Sequence, residues 1–327
     1  MLAVVTIVFT TAAIWAWNAA QAVPADGESV RVVVGPGWSA RRIGNMLELE
    51  GLVADGWLFD ATARIMGMAQ ELKAGEYVFR RGTGIARIVD AIARGKVAQV
   101  RVTLAEGLTA RQMGGLFEEA GVTGATQFLA LVEAPPAWVQ QEFGFVQPGT
   151  SLEGYLFPDT YSFAKGVSAA TVVRTMLTRF ESVALAEYEQ ASTALSLRDA
   201  VILASIVERE AVIADERPVI AGVFLRRLEI GMPLQSCATV QYLLPEPKEH
   251  LSVADTQIDS PYNTYLVKGL PPGPIGNPGA SSIKAVLAPT GGNLLYFVAR
   301  PDGSHVFSSS YSDHLKAKAQ IERAARS

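Results

Sequence analysis

Glu208 is the residue in this sequence whose surroundings suggest chemistry. It lies in Leu197–Val212, a segment opened by Ser196 and Asp199 at capping-box spacing. At 100° per residue, Ala200, Leu203, Ala204, Val207 and Ala211 make one apolar stripe, and Glu208 falls at its margin beside Val201, Ala204 and Ser205. A carboxyl group half withdrawn from water is in the environment that keeps a carboxylic acid protonated for general-acid work. The alternative is an ordinary boundary residue, ion-paired with Arg209 or Arg217, and periodicity alone favours it. Glu210 falls on the opposite flank, and Arg209 points away from the core.

A second set of candidates is aromatic: Tyr155, Phe157, Tyr161, Tyr242, Tyr262, Tyr265 and Tyr296. Rings with polar handles suit sugars, offering a flat apolar face and a hydrogen bond together. For any single ring, core packing is the competing explanation. Gln235, Ser236, Asn263 and Thr264 are further candidates for amide and hydroxyl contacts to a glycan.

Composition narrows the chemistry. With 28 Lys+Arg against 32 Asp+Glu, the net charge of −4 leaves no basic excess, so nucleic acid is disfavoured as a partner. One cysteine, Cys237, excludes an internal disulfide framework or a multi-cysteine metal site. His250, His305 and His314 are scattered and form no metal-ligand motif. Neither a metal nor another cofactor is expected.

The elements that must position Glu208 follow from length and pattern. At 327 residues the chain has room for about two domains, and the pattern predicts an α+β fold. No charged residue precedes Asp26. Leu2–Val23 as a helix would rise about 33 Å, enough for a hydrocarbon core of ~30 Å, and Trp15 and Trp17 sit at its C-terminal end as interfacial aromatics would. Residues 1–24 are therefore expected to be a transmembrane anchor; Ala20-Gln21-Ala22 keeps a cleaved signal peptide as the other reading. Either way the rest of the chain crosses a membrane.

Residues 29–98 read as a small α+β subdomain. It has strands at Val30–Val34 and Glu76–Phe79, and helices from Ser39, over Trp57–Met66, and over Thr83–Arg94 ending at Gly95. Residues 99–327 read as a larger α+β domain. Its strand Gln99–Leu104 leads into a helix capped by Thr109, with further helices at Thr126–Glu133, Ser168–Glu189, Leu197–Val212 and Glu216–Ile230. Pro233–Pro289 reads as irregular and functional. A hairpin of Leu294–Ala299 and His305–Ser309 and a helix from Asp313 close the chain.

Several blocks together carry a resemblance. Ala204-Ser205-Ile206-Val207-Glu208-Arg209-Glu210 resembles the catalytic motif of the YceG-like (MltG) endolytic murein transglycosylases. Leu152–Tyr161 (LEGYLFPDTY), Val223–Gln235 (VFLRRLEIGMPLQ), Tyr262–Tyr265 (YNTY), Gly269–Gly279 (GLPPGPIGNPG) and Leu294–Val298 (LLYFV) follow in that family's pattern. Residues 29–98, with Lys73-Ala74-Gly75-Glu76-Tyr77, resemble its LysM-like subdomain, and residues 99–327 its catalytic domain. One departure is Cys237-Ala238, where the family has Asp-Pro. Asp255 and Asp259 are the candidates to replace that aspartate, and the Cys237 thiol is expected to pack as a small apolar group.

The resemblance implies an enzyme of the bacterial inner (cell) membrane, single-pass, with its catalytic domain outside the cytoplasm. Its substrate would be nascent peptidoglycan strands, cut at the β-1,4 bond from N-acetylmuramic acid to N-acetylglucosamine with a 1,6-anhydro end, and its partners the peptidoglycan polymerases. Glu208 would be the catalytic acid and base; Glu153, Gln235, Tyr262 and Asn263 would line the glycan groove, and Glu210 would be structural. Two rival classes follow from the residues. A murein hydrolase would need a second carboxylate, with Asp159 or Glu210 the candidates; a binding scaffold would need none.

Overall fold

A computed structural model describes residues 28–324, and the expected anchor or signal segment lies outside them. Among the described residues no helix is long and apolar enough to cross a membrane. The chain divides into two units, one running to Val100 and including Ser162–Gly166, the other comprising Arg101–Tyr161 and the residues from Val167 onward.

In the first unit, strand β1 (Ser29–Val34) alternates, burying Val30, Val32 and Val34. It pairs antiparallel with β2 (Gly75–Arg80), Ser29 opposite Arg80 and Val34 opposite Gly75. Helix α1 (Ala40–Leu49) starts where the Ser39 side chain accepts the Arg42 N–H, satisfying a donor the helix cannot. Helix α2 (Gly56–Ile65) is capped by Asp55. The two helices touch backbone to backbone, since a Cβ on Gly44 would sit 2.2 Å from the Gly56 carbonyl oxygen. Helix α3 (Ile85–Arg94) ends at Gly95, whose φ of 68° is left-handed, a conformation that glycine adopts without penalty. Ile43, Leu47, Phe59, Tyr77, Ile88 and Ile92 fill the core between sheet and helices.

Strand β3 (Gln99–Thr103) pairs with β4 (Thr160–Ala164) in a two-stranded sheet. Helix α4 (Ala110–Glu119) follows, with a full capping box between Thr109 and Gln112, then α5 (Ala125–Glu133) and α6 (Ala137–Glu142). The helix expected over Ser168–Glu189 is α7 (Ala169–Phe180), a π-helical turn at Glu181–Leu185, and α8 (Ala186–Gln190).

Helix α9 (Leu197–Glu210) is the centre of the second unit. Ser196 caps it by accepting the Asp199 N–H. Every residue from Ala200 to Val207 is buried, so the helix is enclosed on all sides rather than along one stripe. Helices α10 (Arg217–Glu229), α11 (Cys237–Gln241) and α12 (Ala280–Leu287) pack around it. The last two lie inside the stretch expected to be irregular. The small residues Ala280, Ser281, Ser282 and Ala285 give α12 little periodic signal, and its cap is Gly279. Strands β5 (Tyr296–Ala299) and β6 (His305–Ser308) form the expected hairpin, and α13 (Tyr311–Ala324) ends the described chain.

Candidate active site

Glu208 sits in the last turn of α9, its side chain 5% exposed. Each oxygen has its own donor. Arg217 Nη2, from the start of α10, lies 3.1 Å from Oε1. The backbone N–H of Gly279, at the N-terminus of α12, donates to Oε2 at 2.9 Å. Arg217 is itself held, its Nε donating to Ser282 Oγ at 3.1 Å. Of the two arginines considered from sequence, Arg217 makes the pair. Arg209 instead reaches the Gly107 carbonyl at 3.4 Å.

A residue that sequence reasoning missed stands beside this pair. Glu106, in the turn between β3 and α4, packs its carboxylate against Gly279, where an added Cβ would fall 1.8 Å from Oε1. The next residue, Gly107, faces Glu208 itself, at 3.4 Å from a built Cβ to Cγ. Partial burial raises the Glu106 pKa, the charge of Glu208 raises it further, and Arg217 pulls it down. The only signal available was its place in a strand-to-helix turn, which does not reveal a partner in α9.

Asn277 fixes this turn in place. It is 0% exposed, and its backbone exchanges two hydrogen bonds with the turn, Gly107 N–H to its carbonyl at 2.8 Å and its own N–H to Leu108 at 2.9 Å. Its side-chain oxygen accepts the N–H groups of Gly154 and Leu156 at 2.8 and 3.0 Å. Its amide donates to the Leu108 carbonyl at 2.9 Å and to Glu153 Oε1 at 2.7 Å. Every polar atom of this buried side chain is satisfied, so two remote segments, 107–108 and 153–156, are tied to one residue.

Glu153 is 9% exposed, and both its oxygens accept the Ala110 N–H, at 3.0 and 3.1 Å. Burial pushes its pKa to about 7, against the pull of those hydrogen bonds. It borders a cavity of about 450 Å³ whose walls include Arg111, Glu133, Arg209, Gln241 and Tyr242. Tyr242 stacks at a tilt on Tyr262, ring centroids 5.2 Å apart, and both tyrosines feel the charge of Glu153.

The remaining candidates separate. Gln235 is exposed, its backbone in the left-handed region at φ 50° and its N–H bonded to the Thr264 carbonyl at 3.0 Å. Such an angle in a residue with a Cβ is strained and is held here by its neighbours. Asn263 is not on a groove surface. It is 0% exposed, and its amide donates to the carbonyls of Thr256 and Ile258, which shapes the loop from inside. Ser236 and Thr264 are likewise buried and bonded to each other. Tyr155, Phe157 and Tyr161 are core residues; the Tyr155 ring packs on Phe145 and Phe180.

Both carboxylates expected to be second in the site are bonded to other partners. Asp159 pairs with Arg179 at 2.7 Å, and Glu210 accepts from Ser236 Oγ at 2.5 Å and from the Ala238 N–H. Asp255 is bound to Lys248 and Ser252, which hold its pKa down at about 2, and Asp259 is exposed. Cys237 does not pack as an apolar group: it is exposed, with Sγ 3.0 Å from the Tyr265 hydroxyl.

The whole constellation falls within a recognisable sequence pattern. Residues 32–320 match the YceG-like family. The chain is 30% identical over 303 residues to an endolytic murein transglycosylase of Bacillus subtilis, covering 89% of this chain and 84% of that protein. It is also 30% identical over 325 residues to an endolytic murein transglycosylase of Streptococcus pneumoniae, but spans 58% of that longer relative. Among solved structures, a YceG-like protein of Listeria monocytogenes superposes with a TM-score of 0.63 at 30% identity, over 89% of this chain and 100% of that one.

Proposed function

The chain belongs to the YceG-like family, and from that premise we propose that it is an endolytic lytic transglycosylase of peptidoglycan. Its bond would be the β-1,4 linkage from N-acetylmuramic acid to N-acetylglucosamine in nascent strands, its product a 1,6-anhydro end. The observation that carries this reading is the Glu208 carboxyl group, nearly buried and held by one donor on each oxygen.

Glu208 first gives a proton to the glycosidic oxygen as the bond from muramic C1 breaks. Its carboxylate then takes the proton of the muramic C6 hydroxyl as that oxygen bonds to C1. The nucleophile belongs to the substrate, so no water is consumed, and its tethering supplies the entropic advantage of an intramolecular attack. Arg217 and the Gly279 N–H suit the second half-step, in which Glu208 is negative. Gln235 and Tyr262 face the glycan; Glu153 and Asn263 hold the groove walls from behind.

Residues 29–98, as a LysM-like subdomain, would hold glycan or space the site from a membrane to which residues 1–24 anchor the chain. Cleavage beside the peptidoglycan polymerases would end strand elongation. The position of Glu106 next to Glu208 supports one second reading, a two-carboxylate hydrolase.

The test is a digest of uncrosslinked nascent glycan by the full chain in detergent, beside Glu208→Gln. Fragments one water lighter than hydrated ends, made by the wild type alone, support the transglycosylase. Hydrated reducing ends support the hydrolase, and equal behaviour of the two proteins rejects both.

A further inference from the structure

The cavity of about 450 Å³ adjoins Glu208 through two contacts. Gly107 faces Glu208 and Arg209 together, a built Cβ lying 3.4 Å from Cγ of the first and 3.9 Å from Cγ of the second. Two residues further on, Thr109 and Ala110 already belong to the cavity wall, as does Arg209. On another side Tyr242, also in the wall, stacks on Tyr262 with ring centroids 5.2 Å apart. A substituent on a sugar bound at Glu208 therefore has a space to enter.

The wall suits a peptide better than a sugar. Its apolar part is aliphatic, from Leu129, Val132, Leu243 and Pro247, and Tyr242 is the single aromatic ring among the described residues that line it. Two guanidiniums enter the space, Arg111 from the first turn of α4 and Arg209 from the last turn of α9. Neither has an ion-pair partner among the described residues. Arg209 reaches only the Gly107 carbonyl, at 3.4 Å, and Arg111 is exposed. Of the two carboxylates in the wall, Glu153 is engaged by the Ala110 N–H and the Asn277 amide, which leaves Glu133 against two cations. The N-terminus of α4 opens on the same space and adds the positive end of its dipole. An anion with an apolar body fits these surroundings.

We propose that this cavity receives the carboxylate-bearing peptide that N-acetylmuramic acid carries on its lactyl group, with Arg111 and Arg209 on the peptide's carboxylates. The assignment deepens the transglycosylase reading and rests on it. A guanidinium meets a carboxylate through charge-assisted, often paired, hydrogen bonds, and the volume lies within the ~300–1,000 Å³ usual for ligand pockets. A strand stripped of its peptides fills the groove at Glu208 and leaves both arginines unused. The enzyme thus reads the side chains of the strand as well as its sugars.

The experiment has two readouts on the full chain in detergent. The first is kcat/KM for nascent glycan bearing its peptides and for the same glycan stripped of them by an amidase. Wild type should prefer the peptide-bearing strands by at least about tenfold, and Arg111→Gln should bring the two values together. Arg111 is exposed, so the substitution leaves the fold intact. Equal values for wild type, or a preference unmoved in Arg111→Gln, overturns the proposal.

The second readout needs no turnover: calorimetric titration with N-acetylmuramoyl pentapeptide, which has no glycosidic bond to cut, and with the same compound amidated at its peptide carboxylates. Tighter binding of the free acid, weakened about tenfold in Arg111→Gln and in Arg209→Gln, supports the proposal. No binding, or equal binding of the two compounds, overturns it. A wild type that binds the muramoyl peptide through these arginines yet cleaves no strand rejects the transglycosylase reading and leaves the cavity's ligand standing.

Discussion

Gly279 and Glu208 are joined by one hydrogen bond, from the glycine N–H to Oε2 at 2.9 Å, across 71 residues of sequence. The glycine's own backbone is ordinary, at φ −79° and ψ 171°, so no dihedral angle demands its identity. Space does, because the position of a Cβ is already taken by the Glu106 carboxylate.

Gly279→Ala should accordingly fold, with a stability within about 1 kcal/mol of wild type, since the group it meets is the far end of a flexible side chain. Urea unfolding of the variant beside wild type checks this; a much larger loss would mean that the Glu106 side chain cannot leave its seat on Gly279.

Arg217→Met removes the partner of a carboxylate whose side chain is 5% exposed. Leaving a nearly buried charge unpaired costs about 3 kcal/mol or more. The double variant Arg217→Met/Glu208→Gln should regain much of that stability, because the charge has gone with its partner. Denaturant midpoints of the two single variants and the double one test the coupling; strict additivity would show that the pair contributes nothing to stability.

Glu153 makes stability depend on pH in an unusual direction for a carboxylate. Folded, it keeps its proton up to about pH 7; unfolded, it releases it around the ordinary 4.5. Between those values the folded chain binds the extra proton, so stability should fall as pH rises through the window, by up to about 3 kcal/mol in all. Below the window the contribution is fully present. Glu153→Gln should flatten this slope, and the difference between the two unfolding-energy curves from pH 4.5 to 7 measures it. Parallel curves would place the folded pKa of Glu153 near its ordinary value.

Local signals in the sequence carried over well where the physics is local. Ser39, Thr109 and Ser196 begin helices because their oxygens accept N–H groups within three residues, and Gly95 ends one by turning left-handed. Glu208 was legible as a candidate by its place beside an apolar stripe, and Arg217 was one of two named partners. The enclosure of α9 was not legible, because polar Ser205 interrupts its apolar pattern while its hydroxyl is spent on the Ile202 carbonyl. α12 was hidden by small residues and by the Pro-Gly stretch before it. Glu106 and Asn277 could not be assigned from spacing, since their partners lie in segments far away along the chain. Asn263 shows the converse: a side chain with the right chemistry for sugar, used on its own loop instead.

The reach of Asn277 has a consequence for when the surroundings of Glu208 are assembled. Its amide meets the carbonyl of Leu108, 169 residues earlier, and its neighbour Gly279 supplies the last donor to Glu208. Contacts so distant in sequence close late in folding, since the chain entropy of the intervening loop opposes them until the rest has formed. A chain still emerging, ended before Asn277, would contain Glu208 without the parts that seat it. Synthesis order thus works as a built-in delay, since the Glu208 carboxylate gains its last donor only once residue 279 has been made.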